Sequence, residues 1–166
     1  MRLILVAVLC ALFTLPALAQ TNPPGAAAFD LAQQAKLRND LGTWRCVSAA
    51  APTTPVLSST EVEQGNWFVT HETGAQPATT YERWSHTLKA YVLIAIYDSG
   101  ASNVSQTTSL DPDNATWTPM WPVLDNQGRK RFANQVSRTG DVLRASTPFY
   151  DDKGNVQTGT VICTKQ

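Results

Sequence analysis

Cys46 and Cys163 constrain this chain more than any other pair of residues, because they are the only cysteines left once an N-terminal leader is removed. Residues 1–19 read as a secretory signal peptide: Arg2 is the positive start, Leu3 to Leu15 the apolar run, and Ala17-Leu18-Ala19 the small-x-small cleavage site. Pro16 interrupts the run before it reaches the roughly 20 residues of a membrane span, and no later segment is apolar enough to supply one. Cys10 lies inside the leader after bulky Leu9, which disfavours a lipid anchor. Export, to a periplasm or the exterior, is an environment where disulfides persist, and two cysteines allow one pairing. Closing so long a loop removes unfolded-state entropy worth about 4–5 kcal/mol in the simple chain model.

Composition excludes several classes. The full chain carries 13 Lys+Arg and 13 Asp+Glu; losing Arg2 leaves 12 against 13, a charge near −1. There is no electrostatic footprint for nucleic acid or an anionic membrane, and the local run Arg129-Lys130-Arg131 is offset by Asp125. Three segments are expected: the leader 1–19, an N-terminal segment 20–41 with a short helix, and one domain over 42–166. The helix is placed from Ala26 to about Asn39, after the breaker cluster Asn22-Pro-Pro-Gly25, and its modest apolar face suits a cover over one end of a sheet.

Beyond Leu41 the chain turns to short β-rich runs punctuated by turn residues. Runs centred near Thr43, Val62, Phe68, Tyr81, Val92, Val104, Trp117, Phe132, Leu143 and Val161 give about ten strands. Hairpin turns are expected at Ser85 to Lys89, at Arg138-Thr-Gly-Asp141 and at Asp151 to Asn155, with further turns at Asp111 to Asn114 and Asp125 to Gly128. Connections this short make neighbours antiparallel. An up-and-down meander buries its edges by closing, which sets the first strand beside the last and Cys46 beside Cys163. The fold class is therefore all-β: a closed antiparallel up-and-down barrel of about ten strands with a short N-terminal helix, a two-sheet sandwich being the alternative.

Leu41-Gly-Thr-Trp44, a Gly-x-Trp opening the first strand after a short helix, resembles the start of the calycins: lipocalins, fatty-acid-binding proteins and nitrobindin-like barrels. The strand Tyr91 to Asp98 and the late Cys163 are similar to uncharacterised exported members of that group. The resemblance implies that Gly42 lets the chain turn tightly into the strand and that Trp44 plugs the narrow end. It also implies a basic residue near the last strand packing on that tryptophan, a role for Arg144 or Lys165. The second lipocalin motif, of Thr-Asp-Tyr type, is absent. Haem-binding relatives use a late histidine, whereas this chain has only His71 and His86, so no cofactor is expected.

Candidate binding residues follow from strand alternation. Trp67, Val69 and His71 share one face of their strand, so an inward Trp67 would bring His71 into the lumen. Tyr81 and Arg83 share the face opposite Glu82 and Trp84. One register gathers Tyr81, Arg83, His71 and Tyr97 into a polar, aromatic pocket suited to a carboxylate-bearing ligand. The other gives an apolar interior around Trp84, Val92, Ile94 and Ile96, and the cost of burying Arg83 unpaired favours it. Trp117-Thr-Pro-Met-Trp-Pro122 reads as a rim or edge stretch because of its prolines. Trp67, His71, Tyr81, Arg83, Tyr97 and Trp117 are thus the ligand-binding candidates, with Gly42 and Trp44 structural.

Each candidate has a plainer reading. His71 is more simply a solvated or hydrogen-bonded histidine, His86 a solvated turn residue, and Glu61 with Glu63 a solvated edge. Metal is not expected, since HxH, HExxH and CxxC spacings are all missing. No nucleophile elbow or phosphate loop occurs, and no catalytic residue is assigned. The sequons Asn103-Val-Ser105 and Asn114-Ala-Thr116 matter only in a eukaryotic secretory route. The expectation is an exported, monomeric, non-enzymatic barrel holding a small amphipathic or hydrophobic molecule in its lumen. A protein-binding module using a Trp117/Trp121 rim is the alternative, and a barrel cyclase or isomerase with His71 and Tyr81 in acid–base roles a more distant one.

Overall fold

The computed structural model describes residues 26–110 and 114–166. The expected leader, the Asn22 to Gly25 breaker cluster and most of the Asp111 to Asn114 turn lie outside the described residues. The chain forms a helix α1 (Ala26–Lys36), a 3-10 turn (Leu37–Asp40) and ten strands. The strands are β1 (Gly42–Ser48), β2 (Ala51–Gln64), β3 (Trp67–Gly74), β4 (Ala78–Ser85), β5 (Ala90–Tyr97), β6 (Ser102–Thr107), β7 (Ala115–Trp121), β8 (Asn134–Thr139), β9 (Val142–Tyr150) and β10 (Val156–Lys165). Every strand pairs antiparallel with its chain neighbour, and β1 pairs with β10 to close the barrel.

At that seam Cys46 stands opposite Cys163 in the register, and their sulfurs are bonded at 2.06 Å. Both cysteines are buried and pack with Trp44 against Leu57, Leu143 and Val161. The disulfide therefore lies on the inner wall rather than on the outside of the barrel. A disulfide-bonded pair is consistent with an oxidising compartment.

Gly42 enters β1 at φ +125, a backbone conformation that a side chain would strain. Trp44 follows two residues later, buried, with its indole N–H donated to the Asp40 carbonyl at 2.8 Å. Two cations flank its ring: Arg138 at 5.2 Å and Lys165 at 5.5 Å from the centroid. Lys165 thus sits where the resemblance asks for a basic residue, together with Arg138 from β8. Arg144 does not; it is exposed on β9.

The helix closes the end of the barrel near the start of β1. Leu37, 0% exposed, drops between Phe68, Trp84, Tyr91 and Trp117. Polar contacts fix the rest: Trp84 Nε1 donates to Asp30 at 2.7 Å, the Trp84 backbone N–H to Gln34 at 2.8 Å, and the Tyr91 hydroxyl to Gln33 at 2.7 Å. Phe29 meets the Trp84 ring edge-on, and Arg38 pairs with Glu63. His86 is also recruited, its Nδ1 lying 2.7 Å from Asp30, so it is a helix contact rather than a free turn residue.

One strand expectation changes. Phe132 lies in the connection before β8 instead of in a strand. The Trp117 to Pro122 stretch is half-paired, as the rim-or-edge reading expects: Trp117 pairs with Asn134 of β8, whereas Thr118, Pro119 and Trp121 pair with β6 alone. Pro119 is tolerated there because no β8 ladder meets it and the β6–β7 register slips between Val104 and Ser105, skipping Met120.

Candidate functional site

The register fixes which residues reach the interior. Ser85 opposite Ala90 sets Trp84 opposite Tyr91, Glu82 opposite Leu93 and Ala78 opposite Tyr97. Trp84 packs under the helix, so its face of β4 is the inner one, and Glu82, Thr80 and Ala78 go in with it. Their partners Tyr91, Leu93, Ala95 and Tyr97 form the inner face of β5. Val92, Ile94 and Ile96 therefore point outward, opposite Arg83, Tyr81 and Thr79. The apolar set expected around Trp84 was one residue out of register, a slip that moves a whole strand to the other face.

The sequence candidates divide accordingly. Tyr97 and Trp117 line the lumen. Trp67, Tyr81 and Arg83 cluster on the outer wall: Trp67 and Tyr81 meet edge-on at 6.2 Å, and the Arg83 guanidinium lies 5.1 Å from the Trp67 ring. Arg83 also donates to the Trp84 carbonyl, so its charge finds partners outside and never enters the core. His71 is exposed, with Nδ1 3.3 Å from the Thr79 hydroxyl, and converges with no titratable partner in the lumen. Trp67, Tyr81 and Arg83 are thus brought together, with His71 on the same outer face, and all four lie away from Tyr97 and Trp117. Asn103 faces inward and donates to the Tyr97 hydroxyl at 2.9 Å, so its sequon presents no outward amide.

The lumen is a cavity of about 1330 Å³. Apolar side chains supply much of its wall, with Leu57, Leu93, Val136 and Leu143 among them. At the end away from the helix, the β7–β8 connection contributes Arg129, Lys130, Arg131 and Phe132, and β9 contributes Phe149 and Tyr150. Arg129 there is held by Asp125 at 2.7 Å and lies 4.2 Å from the Tyr150 ring centroid.

The residues that sequence reasoning missed are carboxyls. Glu61 from β2, Glu72 from β3, Glu82 from β4 and Asp40 beside the 3-10 turn all line the cavity. Glu61 is only 8% exposed, and its Oε1 has no hydrogen-bond partner; Glu82 Oε1 is likewise buried and unpartnered. Burial pushes Glu61 up to about 8, helped by Asp40 and opposed by Arg138 and Lys165. Glu82 is raised well above the ordinary carboxyl range by burial, then by the charges of Glu61 and Asp40. Burial also lifts Glu72 and, despite its ion pair with Arg138, Asp40. The nearby cations are already engaged: Arg138 with Asp40 and the Trp44 face, Lys165 with that face and the Asn39 carbonyl.

The signal was present in Tyr81-Glu82-Arg83-Trp84: placing Trp84 inside obliges Glu82 to follow. Among the described residues no group of three or more His, Cys, Asp or Glu is arranged to hold a metal ion. No protein-family model matches the chain, and no curated protein matches it.

Proposed function

We propose that this protein is an exported, calycin-like barrel that binds one small amphipathic molecule inside its lumen. The observation that carries the reading is the cavity itself: about 1330 Å³ within a wall stapled at its seam and plugged at one end by α1. Binding pockets for small molecules are concave, largely apolar and furnished with a few polar groups, and this lumen has that character. Leu57, Leu93, Val136 and Leu143 would take an apolar body, while Tyr97, Asn103 and the inner carboxyls offer polar contacts at different depths. The leader and the disulfide support export together.

Titration with the neutral, environment-sensitive dye Nile red tests this reading. Saturable one-to-one binding, with quenching of the lumenal Trp44 and Trp117 fluorescence and competition by short-chain amphiphiles, is the expected result. Absence of saturable binding, or binding that leaves both tryptophans unaffected, would rule out the lumen as the site.

A second reading rests on the outer wall. Val62, Val69, Tyr81, Ile94, Val104 and Trp121 stand opposite one another in a single row across β2 to β7. Val62 is 40% and Trp121 59% exposed, so part of this band faces solvent, as protein-contact patches do. Sedimentation at rising concentration addresses a second copy of the chain as occupant. Association weakened by Trp121→Ser would support that version, and a monomer throughout would remove it.

A further inference from the structure

We propose that the floor of the lumen is a cation subsite, in which Glu61 and Glu82 receive the protonated amine of an amphipathic ligand whose apolar body lies against Leu57, Leu93, Val136 and Leu143. The proposal rests on the lumenal reading above and names the ligand's chemical class.

Three observations converge on it. First, Glu61 and Glu82 project into the same cavity from strands separated only by β3, in a wall whose register leaves no doubt about their face. Second, each has a buried carboxylate oxygen without a hydrogen-bond partner. Buried acceptors are nearly always satisfied, and leaving one unsatisfied costs the desolvation of that group. An ammonium carries three N–H donors and no acceptor, so it can donate to such oxygens without adding an acceptor of its own. Third, the cations that could have neutralised the pair are committed elsewhere, Arg138 to Asp40 and Lys165 to the Trp44 ring and the Asn39 carbonyl.

Other occupants fit less well. An anion would meet Asp40, Glu61, Glu72 and Glu82, with Lys36 of α1 the further basic residue lining this cavity near the helix. A divalent metal wants several donors at one point, and the described acids are not so arranged. The apolar wall above the floor excludes a small hydrated cation as the sole ligand and favours one with a hydrocarbon part.

Ligand uptake should also move protons. The groups facing the site are Asp40 beside the 3-10 turn, Glu61 on β2, Glu72 on β3, Glu82 on β4, Tyr91 on β5, Arg138 on β8 and Lys165 on β10, together with Lys36 on α1. At neutral pH the empty floor retains protons on its raised carboxyls. An arriving ammonium favours their ionised form, so binding expels protons to the buffer.

Isothermal titration of the mature protein with octylammonium, octanol and octanoate, at pH 7 in buffers of different ionisation enthalpy, tests this. Octylammonium is expected to bind at least tenfold more tightly than octanol, with octanoate weakest, and with net proton release. The Glu61→Gln/Glu82→Gln double variant should bring octylammonium and octanol to similar affinities and abolish the proton release, while octanol binding persists. Octanol binding as tightly as octylammonium to the unaltered protein, or octanoate binding best, overturns the amine assignment and leaves the lumen as a binding site. Failure of all three to bind overturns both readings. The comparison within the unaltered protein needs no variant to fold.

Discussion

Glu61 and Glu82 put carboxyls where a barrel wall ordinarily presents an apolar or hydroxyl side chain, and the consequence is readable in stability. Glu61 titrates near 8 in the folded protein against an ordinary value of 4.5. Between those values the native state holds a proton that the unfolded chain has released, so stability falls as pH rises from about 4.5 to about 8. The full swing for one such group is at most about 4–5 kcal/mol. Asp30, Glu63, Asp125 and Asp151 act in a different window: hydrogen-bonded or paired carboxyls below their ordinary values lose their stabilisation only as pH drops below about 4. Urea unfolding across pH 4.5 to 8 should show the decline, and Glu61→Gln should flatten it and stabilise the protein at pH 8 by about 1–3 kcal/mol; a pH-independent midpoint in the unaltered protein would contradict this. Gly74 gives a steric counterpart. It adopts φ +130, and a Cβ there would sit 2.4 Å from the Val56 carbonyl oxygen. Gly74→Ala should cost more than about 1 kcal/mol by thermal denaturation, whereas a neutral effect would mean that the β2–β3 end relaxes freely.

At the scale of elements, α1 and the 3-10 turn act as a plug whose apolar anchor is Leu37 and whose polar fastenings reach β4 and β5. Leu37→Ala should destabilise by about 2–5 kcal/mol with the β signature of circular dichroism retained below the transition. Asp30→Ala removes the acceptor for Trp84 and the partner of His86. Amide exchange in α1 should accelerate while the β1–β10 seam stays protected; equal acceleration in both would show that plug and barrel unfold as one unit. The plug was legible in sequence as a run of good helix formers ending before Leu41, and so were the ten strands, because Gly-, Asn- and Asp-rich turns punctuate the chain at short intervals. What sequence did not disclose was the inner face of β5. Alternation defines two faces of a strand but not which is inside, and the Ser85–Ala90 closure brings Tyr91, Leu93 and Ala95 in with Trp84 where Val92, Ile94 and Ile96 were expected. Tyr81 and Arg83 lie outside, as the cost of burying Arg83 favoured, and Glu82 follows Trp84 inward without having been weighed as buried. Glu61 escaped notice for a related reason: a charged residue in a Thr- and Glu-rich strand reads as solvated until closure buries it. Pro119 marked the side of β7 that β8 leaves unpaired, whereas the β6–β7 slip beside it has no sequence mark.

For the whole molecule, closure and cross-link were inferred together and are found together: β1 pairs β10, and Cys46 is bonded to Cys163 across that pairing. Most of the chain lies inside the loop so closed, and reduction should lower stability by about 2–5 kcal/mol, measured as a drop in urea midpoint with reductant; an unchanged midpoint would show that the paired strands alone hold the seam. The barrel so formed is polarised along its axis, with basic and aromatic residues around Arg129 to Phe132 and Tyr150 at one end and the carboxyl-bearing floor beneath Trp44 at the other. An amphipathic molecule entering past the first and meeting the second uses both features. Native mass spectrometry of the protein purified from its natural source tests this most directly. The expected spectrum shows the disulfide-bonded chain carrying one small molecule, released on acidification; a bare chain that also takes up none of the octyl probes would contradict a ligand-holding lumen.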